Sequence, residues 1–166
     1  MKDEVDIQDQ IKTGKICPYC SNPSVYVDSQ EIYRTKSYGM AYLCRPCGAY
    51  VGVHKGTDKA LGRLANAELR AAKMEAHHWF DQIAKQKGVI NEVWPIFIKG
   101  IANRNKAYLW LSKHLSIPVD DCHIGMFDVE LCKRTVDISK TAVENYAVGL
   151  PTRPPAEKID EEFFKY

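Results

Sequence analysis

An α+β fold is predicted for this chain, with a small antiparallel sheet first and a helical lobe packed with it. Three observations lead there. The first third carries short runs rich in tyrosine and β-branched residues, separated by turn formers. Two Cys-x-x-Cys pairs, Cys17-Pro18-Tyr19-Cys20 and Cys44-Arg45-Pro46-Cys47, bracket those runs. From residue 66 onward apolar residues recur at three- and four-residue steps, the period of a helix with one buried face. The 166 residues are 45% hydrophobic and 27% charged, which excludes a long disordered chain, a collagen-like repeat and a pure coiled coil.

The cysteine pairs are the strongest signal. Two residues between cysteines let the backbone turn so that both sulfurs point at one centre, and two such knuckles supply four thiolates to a tetrahedral ion. The pairs stand 23 residues apart, room for a hairpin between them. The expected ligands are Cys17, Cys20, Cys44 and Cys47, and the expected cofactor is one structural Zn²⁺ per chain. Four thiolates leave no coordination position for water, so this ion would not be catalytic. A rubredoxin-type iron site uses the same ligands, and the pattern alone does not separate it from zinc. A redox dithiol would need one pair rather than two, and four unligated buried thiols are the plainest alternative.

Along the chain, residues 1–14 are polar and read as a flexible leader. Residues 15–60 read as a zinc ribbon whose strands fall at 24–27, 31–34, 40–43 and 49–53, with turns at Asp28-Ser29, Ser37-Tyr38-Gly39 and Cys47-Gly48. So short a sheet buries little apolar surface, so the ion would supply much of its stability. Residues 61–140 form the helical lobe. Asn66 is a suitable N-cap for a helix to about Lys87, with Leu69, Ala72, Ala76, Phe80 and Ile83 on one stripe and Gly88 as its stop. Trp94-Pro95 limits the next segment to a short piece. A helix from about Arg104 to Leu115 would bury Tyr108, Leu111 and Leu115, with Trp110 on a flank. Asp128 would cap a third helix to about Ile138, with Val129, Cys132 and Val136 inward. Residues 141–166 read as an acidic, Pro-rich tail.

The net charge of +2 argues against a uniformly basic coat or an acidic nucleic-acid mimic. Its distribution is uneven: +1 over residues 1–60, +5 over 61–115 and −4 over 116–166. Arg34, Lys36, Arg45, Lys55, Arg63 and Arg70 fall in the ribbon and first helix, interleaved with Tyr33, Tyr38 and Tyr42. Cations mixed with aromatic rings are the surface a nucleic-acid strand uses. An ordinary solvated face, with tyrosines packed on a small core, is the plainer reading. The first residues have neither the basic nor the apolar stretch of a signal peptide, and no run reaches the ~18 apolar residues of a membrane helix, so a cytoplasmic protein without membrane contact is expected.

The combined motifs resemble a family. Cys17-Pro18-Tyr19-Cys20 and Cys44-Arg45-Pro46-Cys47-Gly48, His54-Lys55-Gly56-Thr57, the run from Leu61-Gly62-Arg63 to Arg70, Ala76-His77 and Phe80-Asp81 are similar to a zinc-finger-containing domain of unknown function found in bacteria, prophages and phages. The resemblance continues through Tyr108-Leu109-Trp110-Leu111 and Cys122-His123-Ile124-Gly125-Met126-Phe127-Asp128, and spans about residues 17–138. It implies metal binding and leaves activity open. Ser21 stands where such a knuckle often has glycine, and Lys59-Ala60 where a proline is common.

Other chemistry is thinner. Cys122, His123 and Cys132 have the types for a second metal, but adjacent side chains diverge on regular backbone, so a buried thiol and a satisfied imidazole are favoured. His77 and Asp81, one helical turn apart, could orient a general base, yet no nucleophile or open metal motif accompanies them. There is no P-loop, GxGxxG or HExxH. A helix-turn-helix over residues 106–136 is disfavoured by its long turn and its acidic residues. The expected function is a non-enzymatic zinc protein contacting nucleic acid, as an accessory or regulatory factor of a phage, prophage or bacterium. The alternative is an adaptor or inhibitor docking on a host or defence enzyme through Trp94, Phe97 or Trp110, and a small hydrolase using His77 or His123 is a third option. No small-molecule cofactor is expected.

Overall fold

The computed structural model describes residues 2–85 and 103–147. The expected Gly88 stop, the Trp94-Pro95 segment and residues 148–166 lie outside them. The chain divides into two compact units: Met1–Met74 with Ile124–Glu130, and Glu75–His123 with Leu131–Tyr166. The division falls within a helix.

The first unit holds helix α1 (Lys2–Lys12), strand β1 (Val25–Asp28), the helical turn α2 (Gln30–Tyr33), β2 (Met40–Leu43) and β3 (Tyr50–Gly52). The sheet is antiparallel in the order β1-β2-β3. Val27 faces Ala41, both buried, while Tyr26 faces Tyr42 with ring centroids 5.1 Å apart. This is the alternation of a sheet with one covered face. Past β3, Tyr50 and Ala65 exchange both backbone hydrogen bonds, at 3.1 and 3.0 Å. Cys17, Cys44, Ala49 and Leu64 form the buried cluster, with Tyr42 and Val51 packed against it.

Two expectations for this unit are corrected. The segment read as a leader is helical over Lys2–Lys12. It closes on Gly14, whose φ of +75° suits glycine, with Lys15 N donating to Gln10 O and Thr13 Oγ1 to Asp9 O. The run 31–34, read as a strand, is instead the turn α2. Asp28 accepts the Gln30 N–H and the Ser37 hydroxyl, and Ser29 Oγ accepts the Tyr38 N–H. These short-range bonds wind the chain before the β-like side chains can pair, and Arg34, at φ 58°, ends the turn.

In the second unit the helices are the remainder of α3 (Ala67–Lys85), α4 (Asn103–Leu115) and most of α5 (Val129–Ala147); 3₁₀ turns occur at Val119–Asp121 in this unit and at Ile124–Met126 in the first. Asn66 caps α3 as expected, accepting the Leu69 N–H at 2.9 Å. Phe80 meets Tyr108 at 4.5 Å between centroids. Trp110 is not on a flank: it is 1% exposed and among the largest fully buried side chains. Ala107, Tyr108, Trp110, Leu111, Ser112 and Leu115 are all buried, so α4 is covered around most of its girth and a single-stripe reading fails there. Helix α5 runs to Ala147, beyond the expected end at Ile138 and into the segment read as tail. Its buried residues Cys132, Thr135, Ser139 and Ala142 keep the three-and-four spacing with small or polar side chains, which a search for apolar residues passes over.

Candidate metal centre

The two knuckles have the same backbone design. In the first, Cys17 N donates to Asn22 O at 2.9 Å and Ser21 N to Cys17 O at 3.0 Å. In the second, Cys44 N donates to Ala49 O and Gly48 N to Cys44 O, both at 2.8 Å. The residue after each second cysteine is left-handed, Ser21 at φ 57° and Gly48 at φ 72°. Ser21 thus adopts the glycine-type conformation despite its side chain. Such a position costs about 1 kcal/mol or more for a non-glycine residue, and it persists where the surrounding bonds hold it.

Sequence placement does the rest. The first knuckle is pinned before β1 by the Ile16–Pro23 bridge, and Tyr19 Oη accepts the Asn66 N–H at 3.2 Å. The second knuckle joins β2 to β3. The result brings Cys17 Sγ to 3.4 Å from Cys47 Sγ, Cys20 Sγ to 3.4 Å from Cys44 Sγ, and Cys20 Sγ to 3.8 Å from Cys47 Sγ. All four sulfurs lie within 4.8 Å of one another. These separations are far too long for a disulfide at ~2.05 Å, and no disulfide is formed among the described cysteines. Four sulfurs each ~2.3 Å from a common zinc would stand ~3.8 Å apart. The donor set therefore fits one structural zinc, held by Cys17, Cys20, Cys44 and Cys47 in a closed sphere. Each knuckle supplies one buried ligand, Cys17 or Cys44, and one exposed ligand, Cys20 or Cys47.

The thiols differ before metal arrives. Burial pushes Cys44 up to about 12 and raises Cys17 as well. The Asn22 side chain and then its backbone N–H lower Cys20 to about 6. Zinc takes thiolates, so binding expels the protons still carried by its ligands. At neutral pH at least the Cys17 and Cys44 protons must leave, and below Cys20's value a third competes. Zinc affinity is therefore expected to fall as pH falls, by at least about 100-fold per unit between about pH 8 and 6 and more steeply below that. A competition titration with a chromophoric chelator at stepped pH measures this, and an affinity independent of pH contradicts it.

The six basic residues read as a nucleic-acid surface have unequal settings. Arg34, Lys36 and Lys55 are exposed. Arg45 forms a two-point ion pair with Glu31. Arg70 lies over the Tyr50 ring at 4.2 Å and donates to Ala65 O at 2.6 Å. Arg63 is half-buried, its Nε buried without a hydrogen-bond partner. Asn22, which tunes Cys20, and Glu31, which occupies Arg45, were not singled out by the sequence reading. Asn22 lies two residues past a ligand, a place where an amide routinely bonds back to a knuckle. Nothing local couples Glu31 to Arg45.

Among the described residues, the four-cysteine cluster is the one group that meets metal-site geometry. Cys122 and Cys132 are fully buried, and burial pushes the Cys122 thiol up to about 12. The His123 ring lies 4.6 Å from that of Tyr108. Arg104 Nη2 sits 3.2 Å from His77 Nδ1 and 3.4 Å from Asp81 Oδ1, so the carboxylate faces a guanidinium. No described helix is long and apolar enough to cross a membrane.

A short antiparallel sheet with paired cysteine knuckles around one site defines a zinc-binding protein of the ribbon class. The family profile of a zinc-finger-containing domain matches residues 13–142, and the chain belongs to that family. No curated protein and no solved structure matches it.

Proposed function

We propose that this protein is a non-enzymatic zinc factor that contacts nucleic acid through the cations of its first unit. The observation that carries the reading is the setting of Lys36 and Lys55. Lys36 Nζ stands 5.1 Å over the Tyr38 ring, and Lys55 lines the same tyrosine-rich groove as Tyr38. Arg34, exposed two residues from Lys36, adds a third cation. The nearby acids Asp28 and Glu31 are engaged by Ser37 and Arg45. A closed four-thiolate sphere supports a structural ion rather than a hydrolytic one. A role as an accessory or regulatory factor of a phage, prophage or bacterium, in the cytoplasm, suits a small binding protein of this kind.

Gel retardation and fluorescence anisotropy with short oligonucleotides test the proposal. Three phosphate contacts give a salt dependence, log K against log [salt], of about −2 for a single strand, and each of Arg34→Ala, Lys36→Ala and Lys55→Ala should flatten it by about 0.7. Unaltered mobility at about 50 mM salt would end this reading. The second reading, an adaptor or inhibitor docking on a host or defence enzyme, draws on the exposed Met74 and Leu61. Trp110 is buried and offers it no anchor, while Trp94 and Phe97 lie outside the described residues. Capture of a defined partner that survives both nuclease and high salt would favour it.

A further inference from the structure

An open groove of about 980 Å³ runs along the first unit beside the sheet and α2. Its lining includes Tyr26, Tyr33, Tyr38 and Tyr50, together with Lys55 and Asp58. The exposures of Tyr26, Tyr33 and Tyr38 are 44, 45 and 67%, high for aromatic rings in a domain with so little core to spend them on. Tyr33 meets Tyr38 at 5.4 Å and Tyr50 at 5.8 Å, with interplanar angles of 81° and 85°. An edge-to-face pair uses one face of one ring only, and a cation such as Lys36 over Tyr38 covers one face of its ring, so each ring keeps a second face for another partner. A hydrogen bond to Tyr50, followed by burial, pushes the Tyr33 phenol up to about 12.

We propose that this groove receives the unpaired bases of a single nucleic-acid strand, stacked on Tyr33 and Tyr38, with Lys36 and Lys55 taking the adjoining phosphates. The assignment rests on the nucleic-acid reading above and narrows it. A duplex hides its base faces and would meet only the cations, leaving the exposed rings without work. A single strand offers a planar π face every nucleotide with a charge beside it, and this surface combines exposed tyrosine rings with Lys55 in the groove lining and Lys36 against Tyr38. An uncharged proline-rich peptide also suits tyrosine grooves, but it gives no account of Lys36 and Lys55 beside the rings.

Anisotropy of a labelled single strand of about 15 nucleotides and of the duplex with the same sequence, at about 50 mM salt, tests the groove. The single strand should bind at least about 10-fold more tightly. Tyr38→Ala and Tyr33→Ala should each weaken it by about 10-fold while leaving the weaker duplex binding unchanged, and Tyr38→Phe should bind as the parent does. Zinc content of each variant confirms that the ribbon is intact. Equal affinity for strand and duplex, with the tyrosine variants silent and Lys36→Ala still weakening both, would overturn the groove and spare the broader function. Absence of binding to either would overturn both. Tight binding of a labelled proline-rich peptide, lost in Tyr38→Ala and not displaced by the oligonucleotide, would reassign the groove to peptide.

Discussion

A Cys44→Ser chain is expected to lose stoichiometric zinc and, with it, the ordered three-stranded sheet. The strands contain four, four and three residues, too few to stand without further support. Two of the four fully buried members of the cluster beneath them are the ligands Cys17 and Cys44 themselves. Structural zinc in small finger domains contributes about 10–16 kcal/mol at neutral pH, as much as the whole net stability of a typical domain, about 5–15 kcal/mol. The second unit has its own buried set, including Phe80, Trp110 and Leu111, and no zinc ligand. Much of its helical circular dichroism should therefore survive. Elemental analysis and the dispersion of amide NMR signals from residues 15–65 are the measurements. An ordered sheet in zinc-free protein, whether from this variant or after chelation, would refute the claim. Cys20→Ser should do less damage, because Cys20 is exposed and its loss leaves no buried thiol misplaced.

The next largest effect is expected from Gly62→Ala, at a position away from the metal. A Cβ there would lie 2.5 Å from the Gly125 carbonyl carbon and 3.1 Å from its Cα, and nearer still to its oxygen. In the reverse sense, a Cβ on Gly125 would press on the Leu61 carbonyl oxygen. Both obstacles are backbone, so no rotamer change relieves them. The crossing is also held from both sides: Leu61 N donates to Gly52 O at 2.9 Å, and Lys73 Nζ donates to Gly125 O at 2.7 Å. Separating the two segments would strain these bonds. We expect each alanine variant to cost about 3 kcal/mol or more, at the upper end for overpacking. Denaturant unfolding of the zinc-loaded protein reads it. A loss below about 1 kcal/mol would mean that the crossing yields easily.

These effects mark where local pattern suffices and where it does not. The ligands were legible because a Cys-x-x-Cys knuckle is a local object, complete within six residues. Strands β1, β2 and β3 and the Asn66 cap were legible for the same reason. Residues 31–34 were not: their side chains favour a strand, but Asp28 and Ser29 wind the backbone through bonds made before and after the run. A single apolar stripe puts Trp110 on a flank, whereas α4 is covered on most sides. The end of α5 was missed because Thr135 and Ser139 are buried polar residues, invisible to a hydrophobic period. Leu61-Gly62 and Gly125 stood out as motifs, with no hint that they touch.

Of the candidate nucleic-acid residues, the sequence supplied six cations of equal standing. The fold separates them. Arg45 is exposed but paired with Glu31, Arg70 is engaged by Tyr50 and Ala65, and Arg63 is half-buried, so Arg34, Lys36 and Lys55 are the exposed members that no described carboxylate pairs. Tyr26 and Tyr50 join the groove only because strand register brings them alongside Tyr33 and Tyr38. The chain alone determined the two cysteine knuckles and the order of sheet then helices, since each depends on residues within a few positions of one another. Which charges stay open, which aromatic rings share a groove and why two distant glycines are required were decided by tertiary structure. Those properties arise from contacts between segments tens of residues apart, whose geometry no local period encodes.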